Sequence, residues 1–214
     1  MAMVDHEPRR LWLIDAGYLF NAQHSVYEDY HFDYRKLREK VEETLGPVWR
    51  AYYLNSTRTP PTGEQSMFHA WLQSARPRGP KIITKLYALK QVRADFAYCE
   101  QCGRKVKLRC PAGNGHHISN KQQKGVDVGI ATLALTHRDK YDVLLLSSGD
   151  GDLLDMIEFL SEDGKRIELA VFRSGVSTDL QSRADSIMWI DEFREDVKRE
   201  EGEDAQPYDS VDAE

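Results

Sequence analysis

Two hydrophobic periods alternate along this chain. "RLWLID" (residues 10–15) is a short, almost unbroken apolar run, the pattern of a buried strand. "YRKLREKVEETLG" instead spaces Leu37, Val41 and Leu45 four apart, one stripe of a helix that Gly46 ends. Both patterns then recur in turn. "VWRAYYL" reads as a strand, "EQSMFHAWLQSA" as a helix striped by Met67, Trp71 and Ala75, and "KIITKLY" as a third strand. After a long interruption, "VDVGIATLALTHR" has the length of a helix, "DVLLLSS" reads as a strand, "DLLDMIEFLSEDG" as a helix and "RIELAVF" as a strand. "STDLQSRAD" gives a short helix and "IMWI" a last strand. Strands alternating with helices of this length predict βαβ units, and so a three-layer α/β/α sandwich on a mainly parallel sheet. Ligands of such sheets bind beyond the carboxyl ends of the strands.

The 214 residues, 41% of them hydrophobic, suffice for one domain with a modest appendage. No run approaches the roughly 18 apolar residues of a membrane span, and the start carries no apolar signal region, so a cytoplasmic protein without a membrane partner is expected. The net charge of −6 argues against a nucleic-acid partner only if it is evenly spread, and it is not. Arg76 to Lys124 holds twelve Lys or Arg against Asp95 and Glu100, whereas from Asp191 onward eleven acids face three basic residues. Residues 8–197 form the expected domain, 96–120 an insertion within it, and 198–214 an acidic tail expected to be disordered.

Asp15 closes the first strand, and Asp150 and Asp152 follow the "DVLLLSS" strand, which puts all three on the carboxyl edge of the predicted sheet. Asp127, at the start of the helix in "KGVDVGIA", can enter the same edge. Aspartates also cap helices, and each alone reads equally well as a cap. Converging carboxylates raise one another's pKa and destabilise the fold unless a cation neutralises them. Mg²⁺ or Mn²⁺ suits such oxygen donors, and a metal so held activates water against a phosphodiester.

"LWLIDAGYLFNA", "KGVDVGIATLAL", "LLLSSGDGDLLDMIEFL" and "SGVSTDLQSRADSIMWID" together resemble the successive motifs of the NYN domain family, in its LabA-like (DUF88) branch of the PIN-like nucleases. The resemblance runs from about Arg10 to Asp191. It implies a PIN-like sheet and metal-dependent endoribonuclease activity, with acids at Asp15, Asp127, Asp150 and Asp152. It also gives Ser148 the role of orienting a carboxylate or a metal-bound water; the alternative is a strand-end turn serine. Two positions depart from the family pattern: Tyr18 stands where many members carry Asn, and Leu133 where many carry a further acid. Asp185 matches a late acid, but its neighbour Ser186 leads directly into a strand, so Asp185 is not expected to touch the metal.

All three cysteines lie in the interruption, as C-x2-C-x7-C followed by His116 and His117. Cys99, Cys102, Cys110 and one of the two histidines complete a Cys₃His structural zinc site, which would fold a hairpin of roughly 20 residues too small to hold a core alone. A disulfide framework leaves one thiol over. Arg104, Lys105, Lys107 and Arg109 cluster on this hairpin, where they would neutralise a phosphate backbone, with Lys124 near the scissile phosphate. Tyr87, Phe96 and Tyr98 either stack on bases or form the hairpin's small core. The expected partner is RNA, single-stranded or structured, ahead of DNA. Homo-oligomers can form if "IMWI" is an open sheet edge. Two other classes stay open: a non-catalytic RNA-binding module on the same fold, and a different phosphoryl-transfer enzyme, although "DAG" after the first strand lacks the D-x-D a dehalogenase-like phosphatase needs.

Overall fold

The computed structural model describes residues 7–113 and 115–200, so most of the acidic tail expected at 198–214 lies outside the described residues. The first half of the chain forms β1 (Arg10–Asp15), α1 (Ala16–Gln23), α2 (Tyr34–Leu45), β2 (Val48–Thr57), α3 (Gly63–Gln73) and β3 (Ile83–Ala88). Four short strands follow: β4 (Lys90–Arg93), β5 (Phe96–Tyr98), β6 (Lys105–Lys107) and β7 (Ser119–Gln122). The rest is α4 (Val126–Thr136), β8 (Val143–Ser147), α5 (Leu154–Glu162), β9 (Arg166–Val171), α6 (Thr178–Arg183), β10 (Ser186–Trp189) and α7 (Arg194–Val197).

Six strands make one sheet in the order β10-β9-β8-β1-β2-β3, every neighbouring pair parallel. Successive residues of β1 point to opposite faces, and both faces are covered. Trp12 and Ile14 pack with Leu19, Leu37, Val41, Phe68 and Leu72 of α1, α2 and α3. Leu11 and Leu13 pack with Ile130, Ile157, Leu160 and Leu180 of α4, α5 and α6. This is the three-layer α/β/α sandwich that the alternating patterns predict. Among the described residues no helix is long and apolar enough to cross a membrane.

Three local features add to or differ from the sequence reading. Helix α1 follows β1 directly, although "AGYLFNAQ" carries no apolar stripe; it is buried on most sides. The buried positions of α3 are Phe68 and Leu72 rather than Met67, which is 60% exposed. The expected insertion at 96–120 lies within a run of four short strands, β4 to β7. An antiparallel ribbon of β4 with β7 forms a stem, and the β5–β6 hairpin continues from it.

The strand order reverses at β1. From it the chain steps to β2 and β3 on one side, then returns to lay β8, β9 and β10 on the other. The crevice between the carboxyl ends of β1 and β8 is therefore the switch point where such sheets bind ligands. The opposite, amino edge is closed by a buried ion pair. Arg10 Nε donates to Glu168 Oε2 at 2.8 Å, and Arg166 Nε lies 3.1 Å from Glu168 Oε1.

Candidate active site

Asp15 is the last residue of β1 and the N-cap of α1. Its Oδ1 accepts the Tyr18 N–H at 3.1 Å, and its Oδ2 accepts the Ser148 hydroxyl at 3.1 Å. Ser148 is fully buried just beyond β8, and its Oγ in turn accepts the Asp150 N–H at 3.3 Å. One hydrogen-bonded path thus joins the carboxyl ends of β1 and β8 across the switch point. Asp150 caps the short turn after it by accepting the Asp152 N–H at 3.0 Å. Capping, offered in the sequence as the bland alternative, is therefore real for Asp15 and Asp150, but it occupies only some of their lone pairs.

Asp127 reaches the same place from α4. That helix starts after Gly125, which sits at φ +93 with no side-chain cap of its own. The Tyr87 ring fills the space above it: a Cβ at Gly125 would lie 3.2 Å from the ring and one at Gly129 only 1.9 Å from the Tyr87 hydroxyl. Tyr87, expected among the base-stacking aromatics, instead packs on the first turn of α4. Lys124 is exposed in the approach to this turn.

Electrostatics couples the four carboxylates. Burial raises the Asp15 pKa, hydrogen bonds from Tyr18 and Ser148 oppose the rise, and the charges of Asp127 and Asp150 add to it. Asp127, on the exposed side of its helix, is also raised, first by partial desolvation and then by Asp150, with a smaller push from Asp152. Among the described residues no lysine or arginine forms an ion pair with any of the four. Oxygen donors that repel one another without a basic partner fit a hard divalent cation. They approach but do not close: among the described residues no group of three or more His, Cys, Asp or Glu is arranged to hold a metal.

Gly17 and Gln123 carried no signal in the sequence, and the late "SGVSTDL" segment gains a structural role. A Cβ at Gly17 would stand 3.0 Å from Gln123 Oε1 and 3.5 Å from Asp15 Oδ1, so glycine there leaves room for the Gln123 amide. A Cβ at Gly149 would meet the Gly175 carbonyl oxygen at 2.0 Å, and Ser177 N–H donates to Gly149 O at 2.9 Å. The late "SGVSTDL" segment is thus the clamp that holds the Ser-Gly-Asp turn. Tyr18 serves the same clamp, its hydroxyl donating to Phe172 O at 2.7 Å. Leu133 is buried in the core, away from solvent. Asp185 accepts the Ile167 N–H at 2.7 Å, at the start of β9 and so at the amino edge.

In the insertion, Cys99 and Cys102 flank the β5–β6 turn. Gly103, at φ +66, donates to Cys99 O at 2.8 Å, and hydrogen bonds from Cys102, its backbone first, draw the Cys99 thiol below its ordinary pKa. Cys110 Sγ stands 3.7 Å from His116 Nδ1, whereas His117 Nε2 faces Arg93 at 3.3 Å. The four expected ligands therefore stand as two pairs. Cys110 follows β6 at the end of the hairpin opposite the Cys99–Cys102 turn. Arg104, Lys105, Lys107 and Arg109 are all exposed.

A model of the NYN domain matches residues 11–191. The fold is similar to the crystal structure of VPA0982, a protein of unknown function from Vibrio parahaemolyticus RIMD 2210633. The TM-score is 0.63 at 21% identity, over 92% of this chain and 99% of that one. No curated protein matches the sequence.

Proposed function

The chain belongs to the NYN domain family, part of the PIN-like nuclease superfamily, and on that premise we propose that it is a metal-dependent endoribonuclease of the LabA-like branch. One observation carries the reading: at the switch point, buried Asp15 shares its field with Asp127 and Asp150 and has no basic partner among the described residues. Asp15, Asp127, Asp150 and Asp152 would hold Mg²⁺ or Mn²⁺. When bound there, the metal supplies a lowered pKa for water and neutralises charge on the phosphodiester. The chain's own groups orient the site. Ser148 fixes Asp15 Oδ2 by donating to it, Tyr18 and Gly149 hold the turn that presents Asp150, and Lys124 stands at the approach to Asp127 to receive the phosphate. Arg104, Lys105, Lys107 and Arg109 raise the local concentration of a polyanion in a salt-dependent way.

The test incubates the protein with single-stranded RNA, structured RNA and DNA in Mn²⁺, Mg²⁺ or chelator, beside Asp150→Asn. RNA cleavage is expected to need the metal and to fall by at least about 10–100-fold in the variant, the loss that changes around a metal site already produce. Cleavage that survives chelator or the substitution would overturn the mechanism. Burial of Leu133 favours a second reading, a non-catalytic RNA-binding module, because the core offers no fifth acid there. Binding with no cleavage of any substrate would select it.

The insertion is proposed to take structural Zn²⁺ through Cys99, Cys102, Cys110 and a histidine. The Cys110–His116 approach favours His116 over His117. With four protein ligands the ion has no open position and serves folding. Stoichiometric zinc after chelator-free purification is the expected elemental analysis, and its absence would remove the site. Free thiols fit the reducing cytoplasm, the proposed compartment.

A further inference from the structure

The β5–β6 register sorts the hairpin into two unlike faces. Phe96 pairs with Lys107 and Tyr98 with Lys105, and directly paired residues of an antiparallel ribbon share a face, as do residues two apart. One face therefore carries Phe96, Tyr98, Lys105 and Lys107, whereas the other carries Ala97 and Val106. Both rings are open to solvent, Phe96 at 46% and Tyr98 at 64%, and neither belongs to the sandwich core. A minimal hairpin core would bury them, so that role is unmet. Lys105 Nζ stands 3.5 Å from the Phe96 ring centroid. Among the described residues neither Lys105 nor Lys107 pairs with a carboxylate, and Asp95, one of two acids in the insertion, is engaged by Arg93 at 2.7 Å.

We propose that the Phe96–Tyr98–Lys105–Lys107 face is a holding surface for unpaired RNA, with two bases on the rings and their phosphates on the lysines. Ring spacing decides between a single strand and a duplex. The two ring centroids are 6.0 Å apart and the planes are turned by 85°. Bases in a duplex strand follow one another at about 3.4 Å and nearly parallel, with both faces already covered. Only a strand whose bases are splayed and free can place one on each ring, and stacking of this kind tolerates any base. Charge complementarity selects a polyanion over an apolar peptide. Only the choice of RNA and its delivery to the carboxylates rest on the nuclease reading; the grip on an unpaired strand does not.

The experiment uses the full chain carrying Asp150→Asn, so that the probe stays whole, and follows anisotropy of a short, unstructured, labelled RNA and of the same RNA annealed to its complement. Phe96→Ala/Tyr98→Ala is expected to weaken single-strand binding about 30-fold or more, the equivalent of about 1 kcal/mol for each of two stacked bases. Duplex binding should barely change, and Phe96→Tyr/Tyr98→Phe should restore affinity. Lys105→Ala/Lys107→Ala should flatten the slope of log affinity against log salt by about 1.4, two phosphates' worth for a single strand. Val106→Ser, on the opposite face, should leave binding unchanged. Unaltered affinity in the ring variant, or equal loss for single strand and duplex, would overturn the proposal. Hydrolysis of bis(p-nitrophenyl) phosphate by the Asp150 protein separates the two readings. Ring-dependent RNA binding without hydrolysis sinks the nuclease and leaves the grip standing; metal-dependent hydrolysis with ring-independent binding does the reverse.

Discussion

At the scale of single residues, Asp15 is a buried carboxylate with no basic partner among the described residues. Its folded pKa is raised, so the folded state binds the proton more tightly than the unfolded chain does. The resulting cost is absent below the ordinary value of 3.8, grows as pH rises through the folded value, and persists at neutrality. Asp15→Asn removes the charge while its amide oxygen still accepts the Tyr18 N–H. In chelator, thermal melts should therefore show the variant more stable than the parent at pH 7, with the gain gone by about pH 3.8. Mn²⁺ should raise the parent's midpoint and not the variant's. A variant melting below the parent at neutral pH would count against an uncompensated carboxylate. Asp15, Asp127, Asp150 and Asp152 were legible because apolar runs stop at them or a helix starts there. Gln123 and Gly17 were not, because their approach depends on where a long insertion re-enters the sheet, and no local pattern encodes that.

At the scale of elements, the sandwich was written in the periodicity wherever a segment was both regular and long. Helix α1 escaped because it is apolar on most sides, leaving no stripe to read. The β4–β7 stem escaped because "KQVR" and "SNKQ" are largely polar and β4 is exposed along its length, so burial imposes no alternation there. The amino edge offers a test of what holds the elements together. Glu168 is 1% exposed and faces both Arg10 and Arg166. Glu168→Ala strands a buried guanidinium, and urea unfolding should report a loss of about 3–5 kcal/mol. Arg10→Met/Glu168→Leu should lose markedly less than that, because no lone charge remains. Metal dependence of any cleavage per folded molecule should be the same in both, since the pair lies at the far end of the strands from Asp15.

At the scale of the whole molecule, one body carries an acidic strand edge and a basic hairpin. The carboxylates stand on the sheet itself, and the basic hairpin is spliced between β3 and α4, the helix that brings Asp127. The net negative charge of the chain averages over segments of opposite sign, and the proposed polyanion would meet the basic one.

The stem has a geometric consequence. It continues from β3 at one end, where Leu89 N–H donates to Thr57 O at 2.9 Å, and at the other it runs into a turn pinned under the Tyr87 ring. On the proposed reading, anchorage of the hairpin on both sides fixes the distance between grip and carboxylates, and that distance measures the strand. The protein would then act as a ruler, leaving products whose ends lie a constant number of nucleotides from the gripped bases. Adding two residues to each of β4 and β7 lengthens the stem by about 7 Å, and sequencing of the product ends should show the cut displaced in one direction, without a change in metal requirement.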